Sequence, residues 1–239
     1  MTNLRRLEIR ALLALAVLCS AVWMVLKLAS EVKEGETQGV DRALLLAMRM
    51  PGGPHDPRGP RWLQEAARDI SALGGFTVLT LVTVASVLLL LIYRRRLQAL
   101  VFGSTIVLAQ IAAEVLKAFV DRPRPDLVSH FDLTYSSSFP SGHSMMSPVV
   151  YFTLAVILAA GERRVAARWL VLVGAILLVM AIGVSRVYLG VHWPSDVLAG
   201  WTLGSGIALC GGVALHQLAQ TKPMVEPPPP QAAGGQESG

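Results

Sequence analysis

The segment FPSGHSMMSPVVYF (residues 139–152) places a Ser-Gly-His triplet directly before a long apolar run. Hydrocarbon excludes such polar groups, so a plain membrane anchor has no use for them at this position. The segment therefore predicts a membrane-spanning helix whose end carries functional groups. Two further stretches combine polar and apolar residues in the same way, KAFVDRPRP (117–125) and SRVYLGVHWPSD (185–196).

The composition indicates an integral membrane protein. Of the 239 residues, 53% are hydrophobic and only 15% are charged, and the mean hydropathy is +0.53. A helix needs about 18–20 consecutive apolar residues to cross a hydrocarbon core about 30 Å thick. Continuous rather than alternating apolar runs favour helices over the strands of a barrel. We therefore predict an all-α protein, a bundle of six transmembrane helices at about residues 10–29, 73–92, 98–119, 144–160, 169–188 and 197–217.

The remaining residues form a long connection and a tail. We predict one membrane domain over residues 1–220 with its core at 73–215, and a disordered Pro/Gly-rich tail at 221–239 that cannot bury an apolar core. In the connection at 30–72, the sequence RWLQEAARDISAL carries apolar residues at helical spacing. This pattern is typical of a short helix lying in the membrane interface, and equally of a surface helix packed on the bundle. The sequence DRALLLAMRM has a similar pattern.

The positive charge lies in short loops and not in one patch. The net charge is +5, and arginines cluster before the first span, between the second and third, and between the fourth and fifth (Arg5, Arg6, Arg10, Arg94, Arg95, Arg96, Arg163, Arg164 and Arg168). Cytoplasmic loops carry such an excess, so we expect this side and both chain termini to be cytoplasmic. The distribution argues against nucleic-acid binding and suits a bacterial inner membrane.

All three polar stretches fall on the opposite, non-cytoplasmic face of this topology. The basic side chains of Lys117, Arg124 and Arg186 can bind phosphate oxygens there. Gly142 allows close backbone approach, the Ser141 hydroxyl can donate, and the first amides of the fourth span favour an anion. The arrangement predicts a phosphate-binding pocket at the depth of the lipid headgroups.

Two histidines supply the chemistry for such a pocket. His192 and Asp196 are four residues apart, so on a helix Asp196 can fix the tautomer of His192 and leave its other ring nitrogen free to attack phosphorus. His143, from another span, can protonate the leaving oxygen and then activate water. The sequence shows no carboxylate cluster for magnesium and no cysteine–histidine cluster for zinc, so we expect no metal and no cofactor.

Three motifs together resemble the signature of the type 2 phosphatidic acid phosphatase superfamily. They are Lys-x6-Arg-Pro (Lys117 to Pro125), Pro-Ser-Gly-His (Pro140 to His143) and Ser-Arg-x5-His-x3-Asp (Ser185 to Asp196). The resemblance covers about residues 73–215. It implies dephosphorylation without a metal, through a phosphohistidine, on a six-helix membrane bundle.

The resemblance also implies a role for each motif residue. Phosphate binding falls to Lys117, Arg124, Ser141, Gly142 and Arg186. His192 is the implied nucleophile, Asp196 its partner and His143 the acid and base.

Three functions remain open at this point. The first is a membrane lipid phosphatase or diphosphatase, with undecaprenyl diphosphate, phosphatidylglycerophosphate and phosphatidate as candidate substrates whose tails enter sideways between spans. The second is a phosphotransferase that uses the same phosphohistidine. The third is a non-catalytic transporter or scaffold on the same fold. A degenerate relative is expected to lose a histidine or the aspartate, whereas this chain keeps His143, His192 and Asp196.

Residues outside the motifs carry simpler expectations. Glu114, three residues before Lys117, is expected to pair with it or with another buried cation. Arg122 is expected to pair locally with Asp121. Small residues at i and i+4 in the last span are expected to allow close helix packing inside the bundle, with a dimer contact as the alternative, namely Gly200 and Gly204.

Overall fold

The computed structural model describes residues 3–51, 53–126 and 137–220, and the predicted tail at 221–239 lies outside them. The described residues form eight helices and one small hairpin: α1 (Asn3–Glu34), α2 (Gln38–Ala47), β1 (Arg49–Met50), β2 (Gly53–Pro57), α3 (Arg61–Leu73), α4 (Phe76–Ile92), α5 (Arg96–Val120), α6 (Gly142–Gly161), α7 (Val165–Tyr188) and α8 (Pro194–Gln220).

The membrane bundle confirms the predicted helical class, with a difference at the second span. Five helices are long and apolar enough to cross a membrane, namely α1, α5, α6, α7 and α8. The second predicted span corresponds to α4, which has only 17 residues. It reaches a sufficient length only together with α3, and the two helices meet at an angle of 43°. The count is therefore five spans, or six if the bent pair is one span.

The bend between α3 and α4 falls at Gly74 and Gly75. A Cβ on Gly74 would lie 2.5 Å from Cγ2 of Ile182, so only glycine allows this close approach to α7. Ala67 and Ser71 of α3 are buried, and α3 packs against α7. Of the two interpretations of this amphipathic segment, the structure supports packing on the bundle. The bend brings α3 beside the ends of α6 and α7.

A small antiparallel hairpin, β1 paired with β2, is the one departure from helices among the regular elements that the structure describes. The apolar pattern of DRALLLAMRM continues to residue 50, but helix α2 ends at Ala47. Proline at position 51 disfavours helical geometry at the residue before it and supplies no amide donor. The end of the predicted helix therefore becomes a strand.

Helix α8 lies at the centre of the bundle and contacts α1, α5, α6 and α7. A Cβ on Gly200 would lie 2.9 Å from the backbone nitrogen of Met145, and Gly204 approaches the same residue. The predicted small-residue packing inside the bundle is therefore confirmed. At the N-terminal end of this contact, the Ser141 amide donates to the Asp196 carbonyl at 3.1 Å. This hydrogen bond joins the second and third sequence motifs.

Candidate active site

A cavity of about 510 Å³ brings together residues from all three sequence motifs. Six of the predicted site residues line it: Lys117, Arg124, Gly142, His143, Arg186 and His192. Lys117 comes from the end of α5, Arg124 from the segment after it, and Arg186 from the end of α7. His192 lies in the short turn between α7 and α8. Helix ends far apart in sequence thus share one site.

Each of the three cations is oriented by a neighbouring acceptor. The Lys117 ammonium donates to Glu114 Oε1 at 3.1 Å, which confirms the predicted pair. Arg124 Nη1 donates to the Val191 carbonyl at 2.7 Å. Arg186, only 1% exposed, donates from Nη1 to the Ser71 hydroxyl at 2.6 Å. Lys117 and Arg186 are thereby held at the cavity before an anion binds.

The hydrogen bonds around His192 define its tautomer. Arg124 Nη1 lies 3.1 Å from Nε2 of His192. A guanidinium group can only donate, so Nε2 must carry the lone pair and Nδ1 the proton. The unprotonated nitrogen therefore faces Arg124 and the cavity, as a nucleophile at this position requires.

The other ring nitrogen of His192, Nδ1, lies near both Asp196 and the hydroxyl of Ser138. Nδ1 lies 3.5 Å from Oδ2 of Asp196 and 3.3 Å from the Ser138 hydroxyl, which itself donates to Oδ2. The amide of Trp193 donates to the same oxygen at 2.9 Å. The contact between His192 and Asp196 that the spacing predicts is therefore present. Ser138 also lies between the two side chains and makes a shorter contact with each of them.

Burial controls the protonation of His192, which is 2% exposed. Loss of hydration lowers the pKa of His192 to about 4, and the positive charges of Arg124 and Arg186 act in the same direction. The hydrogen bond and charge of Asp196 oppose this shift without overcoming it. His192 is therefore neutral at physiological pH, the state in which imidazole has a lone pair to donate.

Ser141 lies behind the cavity and caps helix α6. Its hydroxyl accepts from the Ser144 amide at 3.4 Å and from the Ser144 hydroxyl at 3.0 Å, and Ser141 is fully buried. These hydrogen bonds fix the N-terminus of α6, where Gly142 and His143 form the cavity wall. A Cβ on Gly142 would meet only the Lys117 ammonium, at 3.6 Å. The structure does not place the Ser141 side chain on the cavity surface.

His143 packs against the bend between α3 and α4. A Cβ on Gly74 would lie 3.4 Å from two atoms of its side chain, and one on Gly75 would lie 3.6 Å from its Nε2. The two glycines therefore make room for this ring beside the cavity. His143 and His192 line the same cavity from different helix ends, as an acid and a nucleophile on one phosphate require.

Four polar residues at the site were missed from the sequence: Ser71, Ser138, Arg122 and Asp41. The predicted local pair of Arg122 with Asp121 is wrong, because Arg122 binds Asp196 at 2.6 Å and Asp41 at 2.7 Å. The only sequence signal was the position of Arg122 inside the first motif. Asp41 and Ser71 lie on α2 and α3, for which the sequence predicted only an amphipathic pattern.

One side of the cavity continues as an apolar groove. Helix α4 contributes Phe76, Leu79 and Val84 to it, and the facing helix α5 contributes Ile106 and Val107. Phe76 and Val107 are 77% and 58% exposed, so the groove opens sideways between the two helices. The same cavity therefore joins a cluster of cations to a surface that suits hydrocarbon.

Comparison with a family model identifies the PAP2 superfamily over residues 98–221, more than half of the chain. Phosphatidylglycerophosphatase B from Bacillus subtilis is 33% identical over 184 residues, covering 74% of this chain and 84% of that relative. An undecaprenyl-diphosphatase from Sulfolobus acidocaldarius is 34% identical, covering 51% of this chain and 57% of that relative.

A solved structure supports the same conclusion. The crystal structure of a transmembrane PAP2 type phosphatidylglycerolphosphate phosphatase from Bacillus subtilis superposes with a TM-score of 0.69 at 29% identity, covering 80% of this chain and 92% of that one. Sequence and fold thus agree with the resemblance carried by the three motifs. The chain belongs to the PAP2 superfamily, and it is a phosphatase.

Proposed function

We propose that this phosphatase hydrolyses a lipid phosphate monoester or diphosphate through a phosphohistidine, without a metal. The observation that carries the proposal is the single cavity in which Lys117, Arg124, Arg186 and two histidines adjoin an apolar groove. The cations fit a phosphoryl group and the groove fits a hydrocarbon tail. A soluble sugar phosphate has no group for the groove.

In the proposed first step, Nε2 of His192 attacks phosphorus. A nitrogen–phosphorus bond forms, the bond from phosphorus to the leaving oxygen breaks, and His143 gives that oxygen a proton. In the second step, His143 takes a proton from water as the water oxygen attacks phosphorus. The nitrogen–phosphorus bond then breaks, and its electron pair returns to Nε2 as inorganic phosphate forms.

The three cations stabilise the charge that develops on the equatorial phosphoryl oxygens. Arg124 and Arg186 can each present a planar fork to two oxygens, and Lys117 adds a point charge from α5. Gly142 leaves the backbone at the start of α6 open to the anion. Arg124 contacts Nε2 of His192 at 3.1 Å, so phosphate binding must draw the guanidinium toward the phosphate and free the nucleophile.

The groove supports an amphiphilic substrate but does not select one lipid. The relatives named phosphatidylglycerophosphatase and undecaprenyl-diphosphatase make both of those lipids candidates, and phosphatidate shares the same chemistry. A phosphotransferase with the same intermediate stays a second candidate, because the phosphohistidine can pass its phosphoryl group to an alcohol instead of water. An alcohol acceptor that gains phosphate at the expense of free phosphate would favour the transferase.

The cavity is proposed to face the periplasm or cell exterior. The arginine clusters fall at the ends of helices opposite to the motif residues: Arg94, Arg95 and Arg96 lie at the start of α5, whereas Lys117 lies near its other end. This distribution supports the proposal that both chain termini are cytoplasmic and that the substrate lies in the outer leaflet of a bacterial inner membrane.

Hydrolysis is tested with the full-length protein in detergent micelles. Free phosphate is measured with undecaprenyl diphosphate, phosphatidylglycerophosphate, phosphatidate and a soluble sugar phosphate. We expect release from at least one lipid, no loss with excess EDTA, and a decrease of about 10³-fold or more in His192→Ala, because the nucleophile is removed. His216→Ala, in the bundle away from the cavity, is the matched control. Full activity in His192→Ala, or an EDTA-inhibited rate that magnesium restores, contradicts the mechanism.

The pH dependence of kcat/KM tests the state of His192. Because its pKa is about 4, the nucleophile stays neutral as the pH falls from 7 and becomes protonated only below about 4. After correction for the ionisation of the substrate phosphate, we expect the acid limb nearer pH 4 than the ordinary value of about 6.5. A corrected midpoint at or above 6.5 would mean that the attacking imidazole is not the buried one.

Filling the groove tests the position of the lipid tail. Val107→Trp places a large ring between α4 and α5, so KM for a long-chain phosphatidate should rise about 10-fold or more, while KM for a short-chain analogue changes less than about 2-fold. Leu108→Trp is the matched control, because Leu108 is 63% exposed and is not part of the cavity wall. Equal effects on both substrates would rule out this groove as the tail site.

Single cysteines test the orientation in intact bacterial cells. With Cys19 and Cys210 replaced by alanine, Asp126→Cys after α5 should react with a membrane-impermeant thiol reagent from outside. Arg163→Cys, between α6 and α7, should react only after lysis. Both positions are exposed, so access to the reagent depends on the side of the membrane. The reverse labelling pattern would invert the topology.

A further inference from the structure

We propose that Asp41 of α2 is a positioning residue for catalysis, acting through Arg122 and Asp196 on His192. This inference rests on the proposed function of the site. None of the three sequence motifs contains Asp41, which lies 81 residues before Arg122 and 154 before Ser195. The proposal thus gives the long connection between α1 and α4 a part in positioning the catalytic residues.

The Asp41 carboxylate binds two parts of the site at once. It is 2% exposed, and Oδ2 accepts from Arg122 Nη2 at 2.7 Å and from the Ser195 hydroxyl at 2.6 Å. Its other oxygen, Oδ1, accepts from the Ser195 amide at 2.9 Å. This amide belongs to the first turn of α8, where a negative charge is favourable. Asp41 therefore ties α2 to the start of the helix that carries Asp196.

Arg122 divides its guanidinium between two buried carboxylates. Nη1 donates to Asp196 Oδ1 at 2.6 Å and to the Ser195 hydroxyl at 2.7 Å, while Nη2 faces Asp41. Arg122 also lies over the Trp193 ring, with 5.4 Å from its Cζ to the ring centroid. Its position is thus fixed from both sides. Because Arg122 carries one positive charge and the two carboxylates carry two negative charges, the three groups together have a net negative charge. This charge lies on the side of His192 away from the cavity.

This negative charge affects His192 through Asp196, because the two carboxylate oxygens of Asp196 bind different groups. Oδ1 binds Arg122, and Oδ2 receives the Ser138 hydroxyl and the Trp193 amide next to Nδ1 of His192. Without Asp41, Arg122 would turn its full charge toward Asp196 and weaken it as an acceptor. The proton would then be held less firmly on Nδ1, and Nε2 would spend less time as the unprotonated nucleophile.

Asp41→Asn removes the charge and keeps the side-chain shape. We expect kcat to fall about 10- to 100-fold, the range for residues that orient a catalytic ligand from behind. KM and the inhibition constant of inorganic phosphate should change less than about 2-fold, because Lys117, Arg124 and Arg186 are untouched. In nitrogen-15 NMR spectra at pH 7, with the His192 signal assigned by His192→Gln, we expect the Nδ1-protonated tautomer in the wild type and a mixture in Asp41→Asn.

Two controls separate positioning from folding. Asp69→Asn makes the same change on the exposed face of α3 and should leave kcat intact. Leu45→Ala creates a cavity under α2, where Leu45 is fully buried, and should lower Tm while kcat per folded molecule stays near wild type. An equal loss of kcat in Leu45→Ala and Asp41→Asn, or an unchanged tautomer in Asp41→Asn, would overturn the proposal.

The NMR readout does not depend on turnover. If the wild type released phosphate from no lipid, the proposed function would fail, and a shift of tautomer in Asp41→Asn would still establish the positioning role. If the wild type is active and Asp41→Asn keeps both its kcat and its tautomer, the proposed function stands and this inference falls.

Discussion

A buried charge is costly unless it is paired, and the ion pair of Arg122 with Asp196 fixes the position of much of this site. Both residues lie almost out of solvent, at 8% and 0% side-chain exposure, and they are 74 residues apart in the chain. Removing one partner of such a pair costs about 3–5 kcal/mol, because the other charge is left buried. The segment after α5, the start of α8 and helix α2 are therefore held in one relative position.

The same burial divides the site into two electrostatic sides. Behind His192, the carboxylates of Asp41 and Asp196 share Arg122, and Oδ2 of Asp196 lies 3.5 Å from Nδ1 of His192. In front of it, Arg124 donates to the Val191 carbonyl and Arg186 to the Ser71 hydroxyl, and both arginines line the cavity. A phosphoryl group in the cavity meets cations on one side and a neutral imidazole on the other. In the proposed mechanism, this arrangement lowers the cost of bringing the neutral imidazole to a phosphate dianion.

The sequence predicted what depends on length and local pattern, and it failed where distant residues meet. Continuous apolar runs reveal spans, so five of six were located correctly. Hydropathy does not report a bend, so the glycines that split α3 from α4 led to one span being placed on a helix too short to cross alone. Six of the residues predicted from the motifs line one cavity. Ser141 was predicted to bind phosphate, and in the structure its side chain caps α6. Asp41 and Ser138 carry no local signal, because their partners come from other elements.

The bend between α3 and α4 determines the positions of both the apolar groove and the proposed catalytic residues. Gly74 lets α3 approach Ile182 of α7, and there Ser71 binds Arg186 at 2.6 Å. The turn then sends α4 along α5, with Phe76 and Leu79 facing Ile106 across the groove. A straight helix through residues 61–92 could not make both contacts. If its first half packed on α7 beside Arg186, its second half would not run along α5 to form the groove. The proposed tail site and the proposed phosphate site are therefore parts of one structure, and a side chain larger than hydrogen at Gly74 would disturb both.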